Sequence, residues 1–153
     1  MSSTTTILDS FRALVGASTT WYNIFDHNLT NATAACYRFT VKPVPAAPYM
    51  VCHLDTVGAQ MIASPSTFSR SATIFFRFEF ARPSGEGITD LEDEFQSVSE
   101  LAGDIMDDCL ALSGTSGYME LRSFTWDKFS FGNYVESTRT WRFTGTATVD
   151  QGS

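Results

Sequence analysis

The residues of this sequence that could carry chemistry are a few histidines and cysteines and a dense group of acids. His53 and Asp55 lie two positions apart on a predicted strand and therefore share one face, whereas Cys52 points the other way. This alternation disfavours a Cys-His-Asp hydrolase. The sequence also lacks the nucleophile elbow, the P-loop, the dinucleotide-binding glycine pattern and the H-E-x-x-H zinc motif. We therefore expect no catalytic residue and no cofactor.

Metal binding is disfavoured by the spacing of the potential ligands. The only histidines, His27 and His53, form no ligand pair with each other. Asp104, Asp107 and Asp108 lack the turn glycine and the alternating oxygen ligands of an EF-hand loop. The cysteines are odd in number, widely spaced and flanked by apolar residues, which predicts buried free thiols and no metal site. These cysteines are Cys36, Cys52 and Cys109.

The acids are concentrated in one part of the chain. Between Arg82 and Arg122 there are ten acids and no base, while the remainder holds seven acids and ten bases. The longest helical pattern, residues 89–112, runs through this segment, and its apolar residues step by three and four along one stripe. The opposite face carries an acidic stripe. Its members are Asp93, Glu100, Asp104 and Asp107.

Two interpretations of this acidic stripe stay open. It could be an ordinary solvated helix face, or a face that meets a basic partner or repels nucleic acid. The helix start is predicted by a capping box of Thr89 and Glu92. At the other end, Asp107 and Asp108 oppose the helix dipole and invite an explanation.

The rest of the chain is predicted to be mainly strands. A short amphipathic helix over residues 7–15 precedes them, and residues 27–31 and 56–67 are predicted to be a turn and an exposed loop. The predicted strands are residues 21–25, 37–42, 49–55, 72–81, 118–126, 129–134 and 140–149. We therefore expect a single α+β domain over residues 1–153, with a mainly antiparallel sheet packed on one long helix and a short N-terminal helix.

Composition bounds the class of protein. The chain has 153 residues, of which 43 % are hydrophobic and 18 % charged, values typical of a globular domain. It has neither a signal-peptide pattern at its start nor about 18 consecutive apolar residues, so we expect a soluble protein with no membrane partner. A pI near 4.6 and scattered bases disfavour a groove that binds nucleic-acid phosphates.

The closing strands hold more aromatic residues than one buried face of a hairpin can absorb. Either the core is aromatic throughout, or this segment contacts a second subunit. The candidate interface residues are Phe124, Trp126, Phe129, Phe131 and Tyr134. In the last strand, Gly145 and Ala147 predict that the long helix packs closely there. The threonine-rich strand itself is a candidate edge for sheet addition between subunits.

The order of these elements resembles a family of phage proteins. The order is an N-terminal helix, the strands PVPAAPYMVCHLD and SATIFFRFEFA, one long helix, and the closing strands GYMELRSFTW and TRTWRFTGTATV. This order is similar to that of tail terminator, or tail completion, proteins of long-tailed bacteriophages and related tail-like particles. The resemblance implies a non-enzymatic subunit of a ring, usually a hexamer, in the virion, at the head-proximal end of the tail. It would be made in the host cytoplasm.

The resemblance also implies the partners. The ring would stop growth of the tail tube protein and contact the head connector protein, while DNA slides through its channel without sequence-specific binding. The acidic stripe of Asp93, Glu100, Asp104 and Asp107 would then face the channel and repel phosphates.

Three alternatives remain open from the sequence. The first is another head-tail connector or a tail tube subunit. The second is a small-molecule binding domain of the helix-grip or cystatin-like type, with an apolar pocket. Its pocket would be lined by Phe76, Phe78, Trp141 and Phe143. The third, and least favoured, is an enzyme that uses His53 and Asp55.

Overall fold

A computed structural model describes residues 4–38, 44–64, 67–115, 117–127 and 129–150. The fold is α+β, with a mixed and mostly antiparallel sheet and one long helix. The helices are α1 (Thr4–Gly16), α2 (Thr19–Asn23), α3 (Leu29–Ala34) and α4 (Leu91–Leu112). The strands are β1 (Cys36–Tyr37), β2 (Tyr49–Ser64), β3 (Thr67–Ala81), β4 (Leu121–Trp126), β5 (Tyr134–Val135) and β6 (Thr140–Asp150).

The sheet has the strand order β1-β2-β3-β6-β4, with β5 also paired to β6. Only the β1–β2 pairing is parallel among the described strand pairs. The last strand, β6, lies between β3 and β4, so the prediction that it forms an edge for sheet addition is wrong. Alternation along a strand shows which residues face the core, but it does not show which neighbours the strand has.

The two central strands carry the core, as the alternation predicts. Ile74, Phe76, Phe78 and Phe80 of β3 are at most 2 % exposed. They face the same side of the sheet as the apolar residues of β6, and helices α1, α2 and α4 cover that side. The buried residues of β6 are Trp141, Phe143, Gly145, Ala147 and Val149. Much of this core is built from rings in mutual contact, such as Phe76 and Phe124 with centroids 4.7 Å apart.

Gly145 is required by a close approach, although not by the helix that the sequence suggests. A Cβ atom there would lie 2.3 Å from the carbonyl oxygen of Thr125 and 2.7 Å from the Phe76 ring. The space above Gly145 is therefore filled by the backbone of β4 and a phenylalanine of β3. The prediction that the long helix packs directly on Gly145 is replaced by this sheet-based contact.

Of residues 21–25, predicted as a strand, Trp21 to Asn23 instead belong to helix α2, and Ile24 and Phe25 lie in the turn after it. The Oγ of Ser18 caps this helix by accepting a hydrogen bond from the Trp21 backbone N–H at 3.2 Å. The Trp21 ring is fully buried, 5.3 Å from Phe78, and its Nε1 donates to the carbonyl of Ala32. Burial in the core therefore overrides the strand preference of an aromatic segment. The predicted turn at residues 27–31 is wrong beyond Asn28, where α3 begins.

Helix α4 begins two residues later than predicted. Asp90, not Thr89, is the N-cap, because its carboxylate accepts from the backbone N–H of Asp93 at 2.9 Å. Asp93 in turn accepts from the backbone N–H and the hydroxyl of Thr89. The predicted capping box of Thr89 and Glu92 is therefore wrong, and the carboxylates of Asp90 and Asp93 accept the hydrogen bonds at the start of the helix.

Residues 56–67, predicted as an exposed loop, are mostly strand. β2 and β3 pair in antiparallel register from Tyr49 and Glu79 out to Ser64 and Thr67. β6 pairs with β3 only as far as Ser71. Residues 59–64 and 67–70 therefore extend past the described part of the other strands as a two-stranded ribbon, which we call the arm. Small and polar residues hide this ribbon in the sequence, because they show no regular alternation of apolar and polar side chains.

Two shorter segments also differ from expectation. Of the strand predicted at residues 37–42, the structure describes Tyr37 in β1 and Arg38, and the rest lies outside the described residues. Of residues 129–134, predicted as a strand, only Tyr134 lies in one, β5. The segment contains a 3-10 turn at Phe131–Asn133 before β5, and the Asn133 side chain closes it by accepting from the N–H of Ser130 and donating to the carbonyl of Arg142.

Candidate functional site

Three members of the predicted acidic stripe are solvent-exposed on the outer face of α4. Glu100, Asp104 and Asp107 are spaced by four and three residues, which places them on one side of the helix. Asp93, the fourth, is half-buried, and its carboxylate holds the chain before the helix through Thr89. The hydrogen bond from the Thr89 hydroxyl is the largest cause that lowers the pKa of Asp93. Asp93 therefore has a structural task, whereas the other three remain available.

Glu94 is a buried acid that pattern analysis did not single out. It is 4 % exposed, and its carboxylate accepts from Nε and Nη2 of Arg82 at 2.9 and 2.6 Å. The indole Nε1 of Trp141 also donates to it, at 3.2 Å. The hydrogen bonds from Arg82 are the main cause that lowers the pKa of Glu94. This cluster ties α4 to the end of β3 and the start of β6. Its sequence signal is an acid in the first turn with an arginine twelve residues earlier.

Asp108 lies near the C-terminal end of α4, where the helix dipole disfavours a negative charge, and its hydrogen bonds explain why an acid is placed there. Its Oδ2 accepts from the hydroxyl of Ser18 and from the backbone N–H of Thr20, both at 2.8 Å. Partial burial opposes its ionisation, yet these hydrogen bonds outweigh that effect and the pKa of Asp108 is lowered. The carboxylate sits at the N-terminus of α2, whose unpaired N–H groups favour a negative charge. The acid that opposes the dipole of α4 thus caps a second helix.

The outer acids carry a concentrated negative charge with no nearby base in sequence. No lysine or arginine occurs between Arg82 and Arg122. Such a face raises the local concentration of cations and repels phosphate groups over roughly a Debye length, about 8 Å at physiological ionic strength. In the part of the chain that the structure describes, no group of three or more His, Cys, Asp and Glu side chains is arranged to hold a metal ion.

The predicted interface aromatics are divided between the core and the surface. Phe124 is 3 % exposed and belongs to the core, and Trp126 is half-buried with its Nε1 donating to the carbonyl of Ala102 on α4. Tyr134 is half-buried against Trp141, with ring centroids 5.1 Å apart. Phe129 is 44 % exposed. The side chain of Phe131 lies outside the described part of the structure.

A depression of about 360 Å³ lies on the face of the sheet opposite the helices. In it, His53 stacks on Phe75 with ring centroids 5.5 Å apart. Arg77 contributes a buried Nε that has no hydrogen-bond partner and lies 3.6 Å from Oε1 of Glu79. Glu79 is 1 % exposed and is neutralised by Arg142 Nε, with a further hydrogen bond from the Thr140 hydroxyl. The side chain of Asp55 lies outside what the structure describes, so the predicted pairing with His53 stays a prediction.

No known protein-family model matches the chain, and no curated protein is significantly similar to it in sequence.

The residues proposed to line a small-molecule pocket are packed in the core. Phe76 is 2 % exposed, and Phe78, Trp141 and Phe143 are fully buried. Phe78 contacts both Phe76 and Trp126 at centroid distances of 5.7 and 5.3 Å. The side chains named for the helix-grip alternative therefore contact one another and their neighbours instead of leaving a space between helix and sheet.

The cysteines are free and buried, as predicted. Burial raises the pKa of Cys52 and of Cys109 to about 12, and raises that of Cys36 as well. At neutral pH these thiols are protonated, so they act as small core residues with little nucleophilic character. Among the described helices, none combines the length and the hydropathy that spanning a membrane requires.

Proposed function

We propose that this chain is a non-enzymatic structural subunit that self-associates into a closed ring, a hexamer in the simplest case. The ring caps the tail tube of a phage or phage-like particle and joins it to the head connector. The order of elements supports this proposal, because the α+β layout with one long helix between two sets of strands matches what the family resemblance implies. In this proposal the protein is part of the virion, at the head-proximal end of the tail.

The observation that carries the proposal is the arm. Residues 59–64 and 67–70 have only each other as described strand partners. A two-stranded ribbon without a third strand is marginally stable in water on its own. At about 3.3 Å per residue, the arm extends roughly 20 Å beyond the sheet. Such an extension is favoured when a second subunit covers it.

The outer acids supply the second element of the proposal. Glu100, Asp104 and Asp107 line the channel of the ring and keep the DNA moving by repelling its phosphates. Asp93 contributes to the same negative potential but is held by Thr89. DNA therefore passes close to the protein without being bound in a sequence-specific way.

Electron microscopy of the purified full-length chain tests self-association. We expect closed rings of uniform diameter with a central opening. Particles of single-chain size at every concentration examined would overturn the proposal. Open tubes of indefinite length, in contrast, would assign the chain to the tail tube subunits.

A growth assay tests the capping role. Purified tail tube protein of the same particle is allowed to polymerise with and without the chain, and tube length is measured. We expect the chain to bind one end and stop elongation at substoichiometric amounts. Tubes that grow to the same length in its presence would contradict capping, and binding to the head connector alone would assign the chain to another connector ring.

A further inference from the structure

The sheet leaves two backbone edges without a described partner, at its opposite ends. One is the outer edge of β4, the last strand in the sheet order. The other belongs to β2, because the described part of β1 pairs only with Met50 and Val51, and the remainder of β2 has no described partner on that side. An uncovered edge presents a row of N–H and C=O groups that can pair with another strand.

The arm part of the β2 edge carries neither a charged residue nor a proline within the strand, two of the features that normally prevent such pairing, although its register with β3 is irregular between Met61 and Ser64. From residue 56 to residue 69 the sequence has no Asp, Glu, Lys or Arg, and its one proline, Pro65, comes after the last residue of β2. Natural edges are protected by charges, by proline within the strand, by bulges or by short length. β2 is a 16-residue strand, and the arm is its uncharged end. This edge is therefore suited to pairing.

The β4 edge is partly protected, and the unprotected part lies beside exposed aromatic surface. Near its start the strand has an irregular register between Leu121 and Ser123. Beyond that, Thr125 is exposed and Trp126 half-buried. The 44 % exposed Phe129 follows, with its ring centroid 6.4 Å from that of Trp126. An exposed large apolar side chain next to an open edge is what a partner strand would cover.

We propose that the β2 edge of the arm pairs with the β4 edge of a second copy of this chain, so that the sheet continues from one subunit to the next. This inference rests on the self-association proposed above and names the surfaces that produce it. The two edges differ and lie at opposite ends of the sheet, which makes the contact heterologous. A heterologous contact closes into a ring when its rotation allows. Phe129 is then covered by the incoming arm.

Mixing two blocked variants tests this pairing. The arm variant Gln60→Lys/Met61→Lys adds two charges at neighbouring positions of β2, and charges on an edge strand disfavour pairing with another strand. The edge variant Ser123→Lys/Thr125→Lys adds the same charge to β4. A control, Asn23→Lys/Ser84→Lys, adds the same charge at exposed positions away from both edges. Circular dichroism and thermal unfolding verify that each variant is folded.

Light scattering then gives the masses. We expect the control to form the wild-type ring, each blocked variant alone to be a monomer of 16.9 kDa, and their equimolar mixture to form a dimer of twice that mass. The mixture stops at a dimer because only the arm of the edge variant and the β4 edge of the arm variant are both unblocked. A dimer of the edge variant alone would show arm-to-arm pairing and overturn the inference. Rings formed by both blocked variants would also overturn it, while leaving ring formation itself intact.

Hydrogen exchange of the wild-type protein tests the inference without any substitution. Residues 59–64 and 123–126 should exchange their amide hydrogens at least about tenfold more slowly in the ring than in dilute monomer, because new strand pairing protects them. Unchanged exchange at both segments in a verified ring would overturn the pairing. A wild-type chain that never leaves the monomer would instead overturn the proposed function.

Discussion

Helix α4 carries two sets of acids that differ in what holds them. In the first set, Asp93 accepts a hydrogen bond from Thr89, and Glu94 accepts from Arg82 and Trp141. Asp108 accepts from Ser18 and Thr20. Glu100, Asp104 and Asp107 are exposed at the surface of the same helix. The first set joins the helix to its neighbours within the subunit. The second set adds charge to the outer face and is free to serve contacts outside the subunit.

Acids that are close together in the sequence can therefore have different roles, and the hydrogen-bond partners of each acid decide which role it has. The ten acids between Arg82 and Arg122 suggest one uniform stripe. The structure shows that part of the charge caps helices or fixes the end of β3. Only the remaining part is available for the role that we propose in the ring.

Acidification should have the largest effect on stability, because it removes the charge of all the engaged acids together. Their pKa values are lowered in the folded protein, so they stabilise it above their ordinary pKa of about 4. This stabilisation is lost as the pH falls through the folded-state values. We expect the free energy of unfolding, measured by urea titration, to decrease steadily below about pH 4.5. An unfolding free energy that is flat between about pH 5 and pH 3 would contradict this assignment.

Glu94→Gln should be the most damaging single change among the acids of α4. It removes the charge that pairs with Arg82 while leaving the guanidinium in place. We expect a loss of about 2 to 3 kcal/mol, near the lower limit for a broken buried pair, because Arg82 remains partly solvated. Chemical denaturation measures this loss. Glu100→Gln on the exposed face is the matched control and should leave the transition nearly unchanged.

Asp108→Ala should have a smaller effect, located at a different helix. The change removes the acceptor for Ser18 and for the backbone of Thr20. We expect a loss of about 1 kcal/mol, the usual cost of a lost helix cap. Amide hydrogen exchange should show faster exchange in α2 than in α4. An equal loss of protection along both helices would show that Asp108 acts in another way.

The smallest effect on stability is expected for Glu100→Lys/Asp104→Lys/Asp107→Lys. These side chains are exposed, and lysines near the C-terminus of a helix suit its dipole. Folding and ring formation should be retained, while DNA passage and infectivity of the particle are strongly reduced. Reversal of three other exposed acids provides the control with equal charge. These acids are Glu86, Glu120 and Glu136. Normal infectivity of the variant with Lys at positions 100, 104 and 107 would show that these acids do not line the channel.

The sequence predicts those parts of the fold in which a local pattern reflects burial. The alternating residues of β3 and β6 and the apolar stripe of α4 predict these elements because one face of each contacts the core. The free, buried cysteines are predicted for the same reason. The sequence does not predict helix α2, because the carboxylate that accepts hydrogen bonds at its start belongs to Asp108. Asp108 lies 90 positions from Ser18 and 88 positions from Thr20 along the chain.

The candidate site is predictable in part. The exposed acids Glu100, Asp104 and Asp107 follow from helix periodicity. The arm does not, because it lacks the alternation that a buried strand face produces. The position of β6 inside the sheet is equally hidden, since neighbouring strands are chosen by long-range packing. Partner choice among strands, and therefore the location of the open edges, became visible only in three dimensions.

The mass of the wild-type chain in solution tests the central claim most directly. Light scattering during size-exclusion chromatography should give one species at a whole multiple of 16.9 kDa, with the sixfold mass of a hexamer as the simplest result. The multiple should stay constant across a wide range of protein concentrations, because a closed ring satisfies all of its contacts. A mass of 16.9 kDa at every concentration would contradict the ring.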